Sequence, residues 1–241
     1  TAASMPAHSQ HIAEEGLLSA GLKIVEDDVF QERVVLEWLK SSDYPARNSE
    51  QNMADLQAQI AANNKGVLEL KKMVEQYSLL TVQSYMQYVQ QNAAETIRRL
   101  LPTLNSGYFE QELDNGAKIV VNISINAEQQ TAKIDFTGTS PQLNNNFNAP
   151  AAVCKAAVLY VFRTLVNDDI PLNAGCLQPL EIVIPQGSLL NPKYPAAVVA
   201  GNVETSQHIV DALYGALDVL AASQGTMNNL TFGNDEYQYY E

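Results

Sequence analysis

Positive charge is scarce in this chain of 241 residues. Lys and Arg number 14 against 27 Asp and Glu, which gives a formal net charge of -13 at pH 7. Without a basic stripe, the chain has no surface that would neutralise nucleic-acid phosphates or dock on anionic lipids. Long apolar runs are also missing, since no stretch approaches the ~20 residues of a membrane span. We therefore expect no nucleic acid and no membrane among its partners.

Cysteine is nearly absent, because Cys154 and Cys176 are the only two and no CxxC pair exists. Two cysteines do not make a disulfide framework at this length. Cys154 lies in the apolar helical context AAVCKAA and is expected to be a small buried side chain. This cysteine usage favours a reducing, cytoplasmic compartment.

Common catalytic motifs are missing as well. The chain has no GxxxxGK[ST] loop for ATP and no HExxH motif for zinc. His8 and His11 could share a metal if helical, but their loop-like segment favours solvated side chains. Ser206 and His208 lie too close along one predicted helix to face each other as nucleophile and base. The sequence therefore predicts no metal site of its own and no local catalytic pair.

The composition that remains is globular, with 46% hydrophobic and 17% charged residues. Helical spacing covers residues 29–40, and a longer helix follows with a heptad seam. The seam consists of Met53, Leu56, Ile60, Asn63, Val67, Leu70 and Val74. Asn63 is a polar member of the kind that fixes helix register. The register breaks near Tyr77 and Ser78 before a second helix, so we predict a long kinked helix or a helical hairpin.

Residues 107–137 change to strand-like patterning. Two such runs flank Asp114-Asn115-Gly116, which predicts a hairpin closed by a type I′ turn. Residues 131–137 supply a third strand, so this region should form an antiparallel meander.

The rest of the chain alternates helix and strand. A helix is expected from an Asn148 N-cap to about Val166, a strand over residues 180–184, and a second helix over residues 204–222. The second helix carries Ala212, Gly215 and Ala216 on one face, which predicts close packing. The fold class is therefore α+β, with a long helical segment followed by a β-meander and helices packed on sheet. We divide it into a mostly helical segment 1–103 and an α+β segment 104–241.

Two loop-to-helix junctions, NNNFN at 144–148 and GNVETSQ at 201–207, are the candidate site. Free N–H groups at a helix start favour anions, and Asn, Thr and Ser side chains add neutral hydrogen bonds. A carboxylate or amide substrate would suit such a site, although caps and turns are the simpler interpretation. The candidate substrate-binding residues are Asn146, Asn148, Asn202, Thr205, Ser206 and Gln207, with Asp211, Asn228 and Asn229 as weaker members. For Asp211 the alternative is a structural ion pair.

The same runs resemble the hydantoinase B/5-oxoprolinase family. The matching strings are NMADLQAQIAANNKG at 52–66, NFNAP at 146–150, IPLNAGC at 170–176, GNVETSQ at 201–207 and SQGTMNN at 223–229. The resemblance covers essentially the whole chain, and the stretch from Tyr77 to Glu95 points to the 5-oxoprolinase branch. It identifies the chain as an internal fragment of one larger hydantoinase B-like domain, truncated at both ends.

The resemblance implies an ATP-dependent cyclic-amide hydrolase that opens 5-oxo-L-proline to L-glutamate. It implies a hydantoinase A-like partner half, in the same chain or a separate subunit, that holds ATP and Mg and phosphorylates the amide oxygen. Ligands of a divalent metal in related members lie upstream of the segment equivalent to Ser4-Met5-Pro6, so none is carried over to this chain. The fragment is expected to be inactive alone, and the parent enzyme is expected to be a homo-oligomer.

Two alternatives stay open. One is a sister enzyme on the same scaffold, namely an N-methylhydantoinase B or an acetone/acetophenone carboxylase subunit. The other is a mainly structural assembly module, which the heptad seam over residues 53–74 suggests.

Overall fold

The computed structural model describes residue 6 and residues 8–220, 231–234 and 236–240. Its helices are α1 Ile12–Glu15, α2 Glu32–Leu39, α3 Ser49–Tyr77, α4 Leu79–Leu100, α5 Ala151–Thr164 and α6 Thr205–Leu217. Its strands are β1 Val25–Glu26, β2 Val29–Phe30, β3 Gly107–Glu112, β4 Lys118–Asn126, β5 Thr131–Asp135, β6 Leu180–Val183, β7 Thr231–Gly233 and β8 Gln238–Tyr240. This arrangement confirms the α+β class. None of the described helices is long and apolar enough to cross a membrane.

The helical segment is dominated by α3 and α4. Asn48 begins α3 because its side chain accepts the N–H of Gln51 at 3.0 Å. Ser78 has a φ of 72° and interrupts the helix, and its hydroxyl then caps α4. The predicted break near Tyr77 and Ser78 is therefore confirmed, with a single residue joining the two helices.

The helix predicted over residues 29–40 starts later than expected. Val29 and Phe30 pair with Glu26 and Val25 in a two-residue ribbon, so α2 begins only at Glu32. Short-range strand pairing therefore takes precedence over the helical spacing of the first apolar residues.

The main sheet has the order β3-β4-β5-β6. The first three strands are antiparallel neighbours, which confirms the meander, and β6 adds parallel to β5. Along β4 the side chains of Ile119, Val121 and Ile123 are buried on one face. Side chains alternate between the two faces of a strand, so the face that carries these residues points toward the core.

The hairpin between β3 and β4 forms, but its predicted turn type is wrong. Gly116 has a φ of 80°, whereas Asn115 is not among the residues with positive φ. Leu113 N donates to Ala117 O at 2.8 Å across a three-residue loop. This is the hairpin class in which a single left-handed glycine follows an ordinary turn. One left-handed residue suffices because the loop is one residue longer than the predicted type I′ loop.

The last two helices pack near the sheet, α6 against β3 and β4 and α5 against α6. The small-residue face predicted on α6 is confirmed, since a Cβ on Gly215 would lie 2.7 Å from the Phe109 ring. The helix ends at Leu217 and not near 222, because Asp218 turns left-handed with a φ of 53°. At the other helix, α5 follows Pro150 directly, and Asn148 is not its cap.

One hydrophobic core joins the helical and sheet segments. It contains Ala93 and Ile97 of α4, Ile119 and Ile134 of the sheet, and Leu213 of α6. Helix gives way to sheet between residues 103 and 107, as expected. The division into segments 1–103 and 104–241 stays a prediction.

Candidate functional site

The two predicted junctions meet in space. The backbone N–H of Ala200 donates to the carbonyl of Asn146 at 3.0 Å. The hydroxyl of Thr205 donates to the carbonyl of Phe147 at 2.5 Å. A Cβ on Gly201 would collide with the carbonyl oxygen of Asn148, so only glycine lets the backbones pass this closely. The starts of α5 and α6 are therefore tied together by loops that are distant in the sequence, since Phe147 and Thr205 are 58 positions apart.

The side chain of Asn148 holds these two loops together through hydrogen bonds. Its amide nitrogen lies within hydrogen-bond distance of three carbonyls, those of Leu143 at 2.9 Å, Asn145 at 2.8 Å and Ala197 at 3.0 Å. Its oxygen accepts the N–H of Leu143 at 2.7 Å. The side chain is fully buried. These contacts give Asn148 a structural role. Its predicted role in binding substrate stays a prediction.

The segment before α1 completes the arrangement through Asn146. The buried amide of Asn146 donates to the carbonyl of Pro6 and to the hydroxyl of Ser9, both at 3.3 Å. Ser9 is itself buried and donates to Glu15 at 2.8 Å. An uninterrupted chain of polar contacts therefore leads from the first junction to the carboxylate of Glu15.

Glu15 in turn holds the second junction. Its carboxylate accepts the backbone N–H of Val198 at 3.0 Å and that of Val199 at 2.9 Å. These donors lie at the start of the loop that leads into α6. Ser9 and Glu15 were missed by sequence reasoning, because no local pattern marks residues whose partners lie more than 130 positions away.

Three candidates at the start of α6 remain accessible to a ligand. Asn202 and Gln207 are exposed, and Ser206 is half-buried. The Ser206 hydroxyl donates its proton to the carbonyl of Asn202 at 2.6 Å. Its oxygen can therefore still accept a hydrogen bond from a ligand, but the hydroxyl has no second proton to donate. Asn202 and Gln207 offer neutral amides, which bind carboxylate or amide groups by hydrogen bonds without transferring protons.

The remaining candidates have different surroundings. Asp211 is 4% exposed and engaged in a polar interaction. On the same helix, His208 Nδ1 is buried and has no hydrogen-bond partner within the described part of the chain. Thr205 is buried and committed to Phe147. Asn228 and Asn229 lie outside the described residues, so their predicted place in the cleft stays a prediction.

The described residues do not fit a metal ion. Across residues 8–220 and the short described pieces beyond, no group of three or more His, Cys, Asp or Glu could hold one. His8 and His11 are exposed. The accessible candidates Asn202 and Gln207 are neutral amides that can bind and orient a substrate, and Glu204 is the one carboxylate within residues 201–207.

The structure is thus an α+β fold in which two polar loop-to-helix junctions are tied together. The family model for hydantoinase B/oxoprolinase matches residues 1–241, and the chain belongs to this family. The resemblance seen in the sequence is thereby confirmed.

Relatives at high identity carry the name 5-oxoprolinase. The chain is 47% identical over its whole length to 5-oxoprolinase 1 of Arabidopsis thaliana, of which it covers 21%. It is 40% identical to the 5-oxoprolinase of Dictyostelium discoideum, again over its whole length, and covers 19% of that protein. The chain therefore spans about a fifth of the length of these relatives.

Solved structures share the fold at lower identity. The ATP-dependent caprolactamase from Pseudomonas jessenii matches with a TM-score of 0.68 at 21% identity, over 87% of this chain and 37% of that chain. The nucleotide-free acetone carboxylase matches with a TM-score of 0.66 at 14% identity, over 88% of this chain and 30% of that chain. At these identities the likeness shows the α+β fold alone.

Proposed function

We propose that the chain is part of an ATP-dependent cyclic-amide hydrolase of the 5-oxoprolinase type, which converts 5-oxo-L-proline to L-glutamate. The observation that carries this proposal is the whole-chain identity of 47% and 40% with proteins named 5-oxoprolinase. The chain spans about a fifth of those relatives, so it supplies one part of the enzyme. Alone it is expected to be inactive.

The division of labour is the one that the family resemblance implies. ATP and Mg are expected in a hydantoinase A-like half, in agreement with the lack of a GxxxxGK[ST] loop in this chain. That half would transfer the γ-phosphoryl group to the amide oxygen of the substrate. The part described here would bind the activated ring while water opens it.

The chemistry requires that the activated ring be held in place while water attacks it. Phosphorylation of the amide oxygen makes the ring carbon electrophilic, and a water molecule adds to it. The ring C–N bond then breaks, the nitrogen takes a proton, and the former ring carbonyl is left as an acyl phosphate. A second water hydrolyses this acyl phosphate to the carboxylate and inorganic phosphate. Asn202 and Gln207, which are exposed, would hold the substrate carboxylate or the phosphate by neutral hydrogen bonds.

The test uses the complete parent enzyme with 5-oxoproline and N-methylhydantoin side by side, each with and without ATP. ATP-dependent release of glutamate, without N-carbamoylsarcosine, is the expected result. Turnover of the hydantoin alone would assign the chain to the N-methylhydantoinase branch. If neither is turned over, acetone or acetophenone is offered with bicarbonate and ATP, and carboxylation of the ketone would assign the chain to the carboxylase branch.

The site is tested by Asn202→Ala and Gln207→Ala in the same enzyme. Both residues are exposed, so the variants should keep the wild-type unfolding temperature while glutamate release falls roughly tenfold or more, the effect of losing about 1.4 kcal/mol in the transition state. Gln129→Ala, an exposed amide in the turn between β4 and β5, is the matched control and should leave turnover unchanged. Wild-type rates in both junction variants would remove these residues from the site.

A further inference from the structure

Opening a cyclic amide requires a proton donor beside the ring nitrogen. The nitrogen leaves as an amine only if it gains a proton as the C–N bond breaks, because a nitrogen anion is too basic to leave. A general acid positioned for such a transfer contributes roughly 100- to 10,000-fold to the rate. The donor must lie where the ring is held, which the proposed function places at the start of α6.

The polar side chains already described at this place do not supply that proton. The neutral amides of Asn202 and Gln207 form hydrogen bonds without transferring protons. The hydroxyls of Thr205 and Ser206 already donate to the carbonyls of Phe147 and Asn202. Imidazole is the side chain that takes up and releases a proton most readily near neutral pH. A histidine at the start of α6 would therefore meet the requirement.

His208 is the histidine at this position. It follows Gln207 directly, and its backbone N–H donates to the carbonyl of Glu204 at 3.4 Å in the first turn of α6. Side chains on a helix lean back toward its N-terminus, so the imidazole covers the turn where the two junctions meet. The other two histidines of the chain, His8 and His11, are exposed, whereas His208 is half-buried.

The imidazole of His208 has one nitrogen that is not used within the described part of the chain. Its Nδ1 is shielded from solvent and has no hydrogen-bond partner among those residues. Buried polar side-chain atoms nearly always have a partner in folded proteins, and a catalytic role is one recognised reason for an exception. Nδ1 is therefore open to a group that the described residues do not provide.

We propose that His208 is the general acid that protonates the leaving ring nitrogen, an inference that rests on the proposed function. The protonated imidazole gives its Nδ1 proton to the ring nitrogen while the electron pair of the breaking C–N bond moves onto that nitrogen. The step leaves a neutral imidazole and the amine of the opened chain. The imidazole then takes a new proton from water, so the residue is unchanged after each turnover.

This role separates ATP consumption from product formation. His208 acts after the amide oxygen has been phosphorylated, so its loss leaves that step intact. Without a proton on the nitrogen, the water adduct expels phosphate in place of the amine and returns to 5-oxoproline. ATP is then consumed without release of glutamate.

The experiment measures ADP and glutamate released by the complete parent enzyme from 5-oxoproline and ATP. In His208→Ala, glutamate release should fall roughly 100-fold or more while ADP release continues, so that the ratio of ADP to glutamate rises. His208→Asn should behave in the same way, because its amide can keep a hydrogen bond made by Nδ1 but cannot transfer a proton. His8→Asn, at an exposed histidine, is the matched control and should keep the wild-type ratio.

Oxygen-18 water gives a second measurement that a merely structural role would not change. Each adduct that returns to 5-oxoproline carries one solvent oxygen into the ring carbonyl. Mass spectrometry of the remaining 5-oxoproline should therefore show label in both His208 variants, at about one oxygen per ADP released, and little label with the wild type.

Three outcomes would overturn the role of His208. They are a wild-type ratio of ADP to glutamate in the variants, wild-type glutamate release in His208→Asn, and an equal fall of both rates without label in 5-oxoproline. The last two would make His208 a structural residue. A wild type that releases no glutamate would instead contradict the proposed function itself, so the two failures are distinguishable.

Discussion

At the scale of single residues, Glu15 has the most consequential contacts outside the predicted site. A carboxylate that accepts backbone N–H groups forms stronger hydrogen bonds than a neutral acceptor does. Glu15 receives two such groups from the loop before α6 and one hydroxyl from Ser9. It therefore positions the loop that carries Asn202, although it is not itself a candidate to touch substrate.

Glu15→Gln should loosen this loop in the parent enzyme. Glutamine keeps the size but is neutral, so the N–H groups of Val198 and Val199 lose a charged acceptor. A hydrogen bond to a charged group contributes about 1.5–3 kcal/mol. We expect hydrogen exchange of the peptide covering residues 196–203 to quicken roughly tenfold or more. Peptide-level mass spectrometry measures the exchange.

The matched control is Glu14→Gln on the same short helix. Glu14 accepts only N–H groups of exposed residues, from His11 at 3.1 Å and Gln10 at 3.4 Å. Its replacement should leave exchange over residues 196–203 unchanged. Equal exchange in Glu15→Gln and the wild type would contradict the positioning role.

The sequence located the polar residues of the site more easily than it assigned a role to each of them. The small polar composition of the junctions marked Asn146 and Asn202, and the structure places both at the meeting of the loops. The same composition could not separate the accessible amide of Asn202 from that of Asn148, which is used up by backbone carbonyls. Burial and partner choice are long-range properties, and a single sequence does not encode them locally.

At the scale of elements, the approach of the two junctions depends on the absence of a side chain at Gly201. The turn Val199–Gly201 passes so close to Asn148 that any Cβ at residue 201 meets a backbone carbonyl. A backbone atom cannot move aside as a side chain can. Gly201 therefore limits how closely the junctions that precede α5 and α6 can approach each other.

Gly201→Ala should force the junctions apart. We expect the parent enzyme to lose stability by about 1–3 kcal/mol, the usual cost of overpacking, and to lose most of its glutamate release. Thermal unfolding and the coupled assay measure the two effects. Gly66→Ala is the control, because its Cβ would meet open space in the interior of α3 and should stabilise that helix by about 1 kcal/mol. Wild-type behaviour of Gly201→Ala would show that the close approach is not required.

Element types were predictable, but several boundaries and one turn were not. Periodicity found α3, α4 and the meander because their apolar spacing is regular over many residues. It placed the start of α5 too early, at Asn148, because Asn is a common cap and here its side chain serves tertiary contacts. It also could not show that β6 adds parallel to β5, since strand neighbours separated by a helix are not visible in local spacing.

At the scale of the whole molecule, the accessibility of the two cysteines indicates whether the hydrophobic core is folded. Cys154 on α5 and Cys176 in the turn Ala174–Leu177 are both fully buried within the same apolar cluster. Burial raises the pKa of the Cys154 thiol to about 12. The thiolate is the reactive form, so this thiol should be inert at neutral pH. This matches the small buried side chain expected from the sequence.

The core should therefore expose its thiols only when it unfolds. In the parent enzyme, Cys154 and Cys176 should resist alkylation at neutral pH and become labelled together as urea is raised, because they share one cluster. Ala93→Cys adds a reporter in the buried part of α4. Peptide mass spectrometry resolves the three positions.

The order of labelling decides whether the segments 1–103 and 104–241 behave as one unit. Residue 93 belongs to the first segment, yet its side chain lies in the same core as the sheet and α5. Because these side chains are buried in the same core, we expect a single unfolding transition. Opening α4 alone would expose Ile97 and the sheet residues that pack against it. Simultaneous labelling of all three thiols is the expected outcome. Labelling of residue 93 at lower urea would show instead that the helical segment separates first, as a subdomain with its own stability.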